Sequence, residues 1–158
     1  MGERRGLETL NFERPIIALD GVGDPGNLGT IIRTADWFGV NQIILGEGTV
    51  DPYSEKVVRS TMGSLFHVEL RESHDLFSDI EFLRGRGYTV VSFGLSGRSV
   101  RSLEPATKTV YLFGSESHGI RSEIMAMSDA VYTIPGVGRA ESLNVAVAAG
   151  IVLSHITN

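Results

Sequence analysis

The sequence holds no cysteine, which excludes disulfides and thiolate metal sites together. Its four histidines, at positions 67, 74, 118 and 155, show no i,i+4 spacing, so the paired imidazoles of a helical metal site are missing and no metal is expected. No apolar run approaches the roughly 18 residues that span a bilayer, and the N-terminus lacks the apolar core of a signal peptide. The expectation is a cytoplasmic protein with no membrane partner. Positive charge is scarce as well: 14 Lys plus Arg stand against 19 Asp plus Glu, a net charge of -5, the wrong sign for gripping nucleic acid by bulk electrostatics. Local basic clusters remain at Arg4, Arg5 and Arg14, at Lys56 and Arg59, and at Arg98 and Arg101. Each reads on its own as solvated surface. Internal repeats and low-complexity tracts are absent too.

What is present suits one domain. The 158 residues are 42% apolar, enough to bury a core. Pro15 to Asp20 is an apolar run closed by Gly21, and Asn27 to Phe38 carries Leu28, Ile31, Ile32 and Ala35 at helical spacing. Gln42 to Leu45 predicts a second buried strand, Ser54 to Arg59 a short helix, Leu65 to Leu70 a strand, Asp75 to Arg84 a helix and Tyr88 to Phe93 a strand. Gly94 to Ser102, rich in Gly, Ser and Arg, reads as a flexible loop. Thr109 to Phe113 predicts a strand, Arg121 to Met127 a helix, Ala130 to Ile134 a strand and Ser142 to Ile156 a helix that is apolar around nearly its whole circumference, as a buried or interface helix is. Strands alternating with helices imply an α/β fold with a mainly parallel sheet and helices on both faces.

Three loops of this pattern carry candidate chemistry. Gly21-Val22-Gly23-Asp24-Pro25-Gly26 satisfies G-x-G-x-x-G between a strand and a helix, with Glu47 after the second strand, which keeps an NAD-dependent oxidoreductase open as a reading. Asp20 inside the strand and Pro25 inside the turn argue against it and leave a plain Gly-Pro turn as the alternative. On the following helix, Arg33 offers a planar fork of donors for a phosphate or hydroxyl, or else pairs with Asp36 at i,i+3. The second loop, Gly114-Ser115-Glu116-Ser117-His118-Gly119, lies just beyond a strand end, where open parallel sheets bind ligands. It has no nucleophile-elbow pattern, and His118 is either a general base or a solvated capping residue. In the third, Ile134 to Asn144 forms a Gly-rich bend that delivers polar residues to the mouth of the last helix. Exposed backbone groups at such a place can grip a cofactor.

Taken in order, Asn27-Leu28-Gly29-Thr30-Ile31-Ile32-Arg33-Thr34-Ala35-Asp36, then Phe113-Gly114-Ser115-Glu116-Ser117-His118-Gly119, then Ile134-Pro135 with Ser142-Leu143-Asn144-Val145-Ala146-Val147-Ala148-Ala149-Gly150 resemble the three motifs of the SpoU (TrmH-like) RNA ribose 2'-O-methyltransferases of the SPOUT superfamily. The resemblance covers Ile16 to Ile156. It implies a deep C-terminal trefoil knot, a homodimer, and S-adenosylmethionine held by backbone groups around Leu112, Gly114, Ile134 and Leu143. It assigns catalytic function to Asn27, Arg33, Glu116, Ser142 and Asn144, with Arg33 contacting the reacting ribose and its phosphate while Glu116 and Asn144 orient the loop and Arg33. Structured RNA is the implied substrate, rRNA before tRNA, because Asp24-Pro25-Gly26-Asn27-Leu28-Gly29 and Lys56-Val57-Val58-Arg59 look closer to rRNA-modifying relatives.

The sequence departs from the family pattern in three respects. Gly136 stands where many relatives have a bulkier apolar residue, and Ala146 where many have serine. Only about fourteen residues precede the first strand, so residues 1–158 read as a single catalytic domain, either a minimal member or a fragment lacking an N-terminal RNA-binding domain. A catalytically silent RNA-binding assembly protein is the remaining alternative, against which Arg33 and Asn144 speak.

Overall fold

A computed structural model describes residues 6–158; Arg4 and Arg5 of the N-terminal basic cluster lie outside the described residues. The strands are β1 (Ile16–Asp20), β2 (Gln42–Leu45), β3 (Glu69–Glu72), β4 (Thr89–Ser99), β5 (Thr109–Gly114) and β6 (Ala130–Thr133). The helices are α1 (Pro25–Phe38), α2 (Glu55–Thr61), α3 (Leu76–Gly85), α4 (Ser122–Met125) and α5 (Val145–Thr157). All strand pairs are parallel, in the order β3-β2-β1-β5-β4-β6, which bears out the α/β reading.

Strand alternation sorts the core into two layers, because successive side chains point to opposite faces. Ile17, Leu19, Tyr111 and Phe113 face α1 and α5, whereas Ile16, Ala18, Val110 and Leu112 face α3 and α4. The middle strands are buried on both sides, as expected for a parallel sheet covered by helices. In α1 the apolar positions Leu28, Ile31, Ile32 and Ala35 are fully buried, and Asp24 caps the helix by accepting from the Asn27 N–H at 2.8 Å. Gly29 lets α2 come close: a Cβ there would lie 2.2 Å from the Ser60 Cβ.

Three boundaries differ most from expectation. The apolar run from Leu65 begins in a short 3-10 turn with Phe66 exposed, and the strand that follows is the polar edge segment β3. Gly94 to Ser99 is not a loop, since β4 continues through a bulge and pairs Arg98 and Ser99 with Tyr132 and Thr133 of β6. The last helix starts at Val145, not Ser142, because Asn144 caps it by accepting from the Ala146 and Val147 N–H groups.

β6 is an outer strand, yet α5, which follows it, packs on α1 and touches β5 at the sheet centre. Residues 134–144 therefore travel back across the C-terminal ends of the strands.

Candidate active site

In an open parallel sheet the chain diverges where two neighbouring strands send their connections opposite ways, and ligands bind at the carboxyl ends there. Here that point lies between β1 and β5. Beside it, a cavity of about 750 Å³ opens between the ends of β4 and β5, the turn after β5 and the returning segment 134–144. Its floor is apolar, from Phe93, Phe113, Ile134 and Val145, and the two Phe rings stack at 4.8 Å.

The turn after β5 is closed on itself. Ser115 and Gly119 exchange backbone hydrogen bonds at 3.2 and 2.9 Å, and the Ser115 hydroxyl accepts the His118 N–H at 3.0 Å. A Cβ on Gly114 would lie 2.1 Å from the Gly119 carbonyl carbon, so only glycine fits. Facing it, residues 135–143 are exposed. Among the described residues their backbone groups make no hydrogen bond within the chain.

At the cavity rim a chain of side-chain bonds joins three elements. Asn144 Nδ2 donates to Asn27 Oδ1 at 2.9 Å, and Asn27 Nδ2 donates to Glu116 Oε1 at 2.6 Å. Both amides are thereby fixed in orientation, and the starts of α1 and α5 are tied to the β5 turn. Of the expected site residues, Gly114, Glu116, Ile134, Ser142 and Leu143 line the cavity; Asn27 and Asn144 reach it through this chain. Leu112 does not: its side chain is fully buried toward α3 and α4. Any role for it is through its backbone.

Arg33 is exposed on α1 and does not line the cavity. The alternative pairing with Asp36 is not formed. Asp36 instead bonds His67 Nδ1 at 3.2 Å, and the Ser64 hydroxyl, then His67, hold its carboxyl below the usual value. Among the described residues Arg33 has no hydrogen-bond or ion-pair partner, and Glu116 and Asn144 contact Asn27 instead of it. Six residues beyond Asn27, it stands roughly 9 Å further along the helix. His118 is exposed, with Nδ1 2.8 Å from the Ser117 hydroxyl.

The Gly21–Gly26 turn is occupied by the fold. Val22 is fully buried and accepts from the Val50 N–H at 3.0 Å, and Asp24 is spent on the α1 cap. Glu47, the acid of a dinucleotide reading, instead accepts the Leu76 N–H at 2.7 Å and meets Arg121. Sequence reasoning missed that arginine. Arg121 Nε donates to Asp20 Oδ1 at 2.9 Å and its backbone N–H to Oδ2 at 2.8 Å, while Nη2 sits 2.9 Å from Glu47 Oε2 at an angle short of a hydrogen bond. Burial alone would pull the guanidinium pKa down; Asp20, then Glu47, outweigh that and hold it above its ordinary value. The one signal was Asp20, a carboxylate in a strand otherwise apolar, which demands a buried partner. Among the described residues no cluster of His, Asp and Glu is placed to hold a metal ion, and no helix is long and apolar enough to cross a membrane.

Fold and cavity together define a parallel α/β protein with a ligand site at the carboxyl ends of its strands. The chain belongs to the SpoU rRNA Methylase family, whose model matches residues 14–154. It is 37% identical over 150 residues to the 23S rRNA (guanosine(2553)-2'-O)-methyltransferase RlmP of Bacillus subtilis (strain 168), covering 94% of this chain and 60% of that one. It is 35% identical over 156 residues to the tRNA (guanosine(18)-2'-O)-methyltransferase of Thermus thermophilus, covering 95% and 78%. An AdoMet-bound rRNA methyltransferase from Sinorhizobium meliloti superposes with a TM-score of 0.88 at 39% identity, over 96% of this chain and 59% of that one. The chain thus spans about 60% of the length of several relatives it matches.

Proposed function

We propose that residues 1–158 form the catalytic unit of an S-adenosylmethionine-dependent RNA ribose 2'-O-methyltransferase of the cytoplasm, acting on rRNA in preference to tRNA. The observation that carries this is the cavity itself, with a shaped wall at Gly114, an apolar floor and an opposite wall whose backbone groups are unpaired among the described residues. These features fit a donor with a flat apolar base and several polar edges. Gly114, Ile134 and Leu143 would hold it, with Phe93 and Phe113 beneath. Bound there, such a donor supplies an electrophilic sulfonium methyl.

The protein's own contribution is then alignment, which by itself accounts for much of the barrier lowering in a transfer of this kind. The Asn144–Asn27–Glu116 chain fixes the rim at which an acceptor sugar enters, and Ser142 adds a hydroxyl there. Arg33, which has no hydrogen-bond or ion-pair partner among the described residues, is available to an RNA phosphate and to the 2'-hydroxyl. Its hydrogen bond lowers the hydroxyl's pKa while an RNA phosphate takes the proton. The return of residues 134–144 across the sheet suits a chain threaded into the family's knot. Exposed Trp37 on α1 and exposed Val147 and Ile151 on the adjoining α5 suit burial against a second copy, the homodimer of the reading.

Methyl transfer from labelled donor to total RNA tests this. Arg33→Ala is expected to lower turnover by about 100-fold or more while donor affinity, measured by calorimetry, changes less than about twofold. Unchanged turnover would remove Arg33 from the chemistry. Absence of donor binding by the unaltered protein would remove the reading as a whole.

A further inference from the structure

The cavity wall at Gly114–Gly119 is held from behind. The turn leaves β5 at Gly114, doubles back at Ser115 and Gly119, and ends at Arg121. Asp20, the last residue of β1, is 3% exposed and spends both carboxylate oxygens on Arg121, one on the side chain and one on the backbone. The same guanidinium meets Glu47, which follows β2 and also holds the first N–H of α3. A more distant contact to Glu123, at 3.7 Å, completes its surroundings. One side chain thus joins the ends of β1 and β2 and, through Glu47, the start of α3, to the exit of the turn.

A buried carboxylate costs folding energy unless it is paired, and an apolar residue at the end of β1 would pack without that cost. What the pairing supplies is a fixed exit for the turn. With its entrance set by the β5 pairing to β1 and its exit by Arg121, the turn places Ser115 against the cavity and Glu116 against Asn27. The guanidinium itself does not line the cavity.

We propose that Arg121, seated on Asp20 and Glu47, is a positioning residue for the methyl-donor pocket: it fixes the Gly114–Gly119 wall that the donor packs against without touching the donor. The inference rests on the methyl-donor reading above. Its test is S-adenosylmethionine binding by calorimetry together with donor KM and kcat at saturating RNA, on Arg121→Met, Arg121→Lys and the double change Asp20→Asn with Arg121→Met, which removes the stranded buried charge. Arg121→Met and the double variant are expected to raise the donor Kd and KM by about tenfold or more, with kcat at saturating donor also falling to the extent that Glu116 leaves Asn27. Arg121→Lys, which keeps a cation on Asp20 but cannot fork to Glu47, is expected to recover most of that loss. A role confined to folding would lower the thermal midpoint and leave donor Kd and KM of the folded protein unchanged. That result in the double variant overturns the proposal even if Arg121→Met alone fails to fold. If the unaltered protein binds no donor, the underlying reading fails instead.

Discussion

The turn after β5 and the segment 135–143 line the same cavity, yet the first is closed by its own hydrogen bonds and the second makes none within the chain among the described residues. Both carry glycines, but for different reasons. Gly114 is required by contact, since backbone atoms stand where its Cβ would go; a Cβ on Gly136 or Gly138 would meet nothing, and neither takes a left-handed conformation. The segment nonetheless bends at Gly138 and Arg139, without a left-handed residue. The comparison teaches that a pocket for a multi-edged ligand can divide its labour. One wall supplies shape and is held by its own hydrogen bonds, while the other supplies polar groups that no partner among the described residues has claimed.

The largest effect should come from damaging the rigid wall. Gly114→Ala drives a methyl group into backbone of Gly119 and Ile120, at 2.1 and 2.2 Å, and backbone cannot swing aside as a side chain can. Donor affinity is expected to fall by at least about 100-fold, equivalent to ~2.8 kcal/mol. Near-normal calorimetric binding by this variant would mean that the wall gives way freely, and the contrast between the two walls would lose its basis.

A smaller effect is expected from cutting the link between the walls. Asn27 is the middle of the chain from Glu116 to Asn144, and the α1 cap is carried by Asp24 instead. Asn27→Ala is thus expected to lower kcat by about 10- to 100-fold through misplacement of the rim, with little change in thermal midpoint. Asn144→Ala cuts the same link and also removes the α5 cap, so it should lose in addition about 1 kcal/mol, roughly 2–4 °C in thermal midpoint for a domain of this size. Equal melting of the two variants would show that the cap contributes nothing beyond the link.

These contrasts also explain what was legible in the sequence. β1, β2, β5 and α1 announce themselves because each buries a continuous run or a helical stripe, a property local to a few residues. The polar strand β3 was displaced from its predicted position because an edge strand needs little apolar content, while the apolar Leu65 and Phe66 beside it imitate a strand. The second half of β4 looked like a loop by composition, and only pairing across the bulge to β6 reveals it. In the site, the motif residues were readable singly, but not their partners: Asn27 meets Glu116 across 89 positions and Asn144 across 117. Arg121 was invisible because its partner Asp20 lies 101 positions away and only the neighbouring of β1 and β5 brings the two together. The alternative pairing of Arg33 with Asp36 rested on helical spacing alone, and the competing His67 arrives from outside the helix.

The smallest effect belongs to the open wall, and it discriminates most finely between contact and conformation as causes. Gly136→Ala and Gly138→Ala add a methyl group where no atom lies within 4 Å and where the backbone angles suit any residue. Alanine removes freedom chiefly from the unfolded chain, so the thermal midpoint should hold or rise by an amount corresponding to at most about 1 kcal/mol. The backbone donors and acceptors of the segment are untouched, and donor affinity is expected to shift by no more than about threefold, or ~0.7 kcal/mol. A loss as large as that of Gly114→Ala would mean that residues 135–143 close onto the donor and pack as tightly as the opposite turn. The division between a shaped wall and a yielding one would then describe only the donor-free protein.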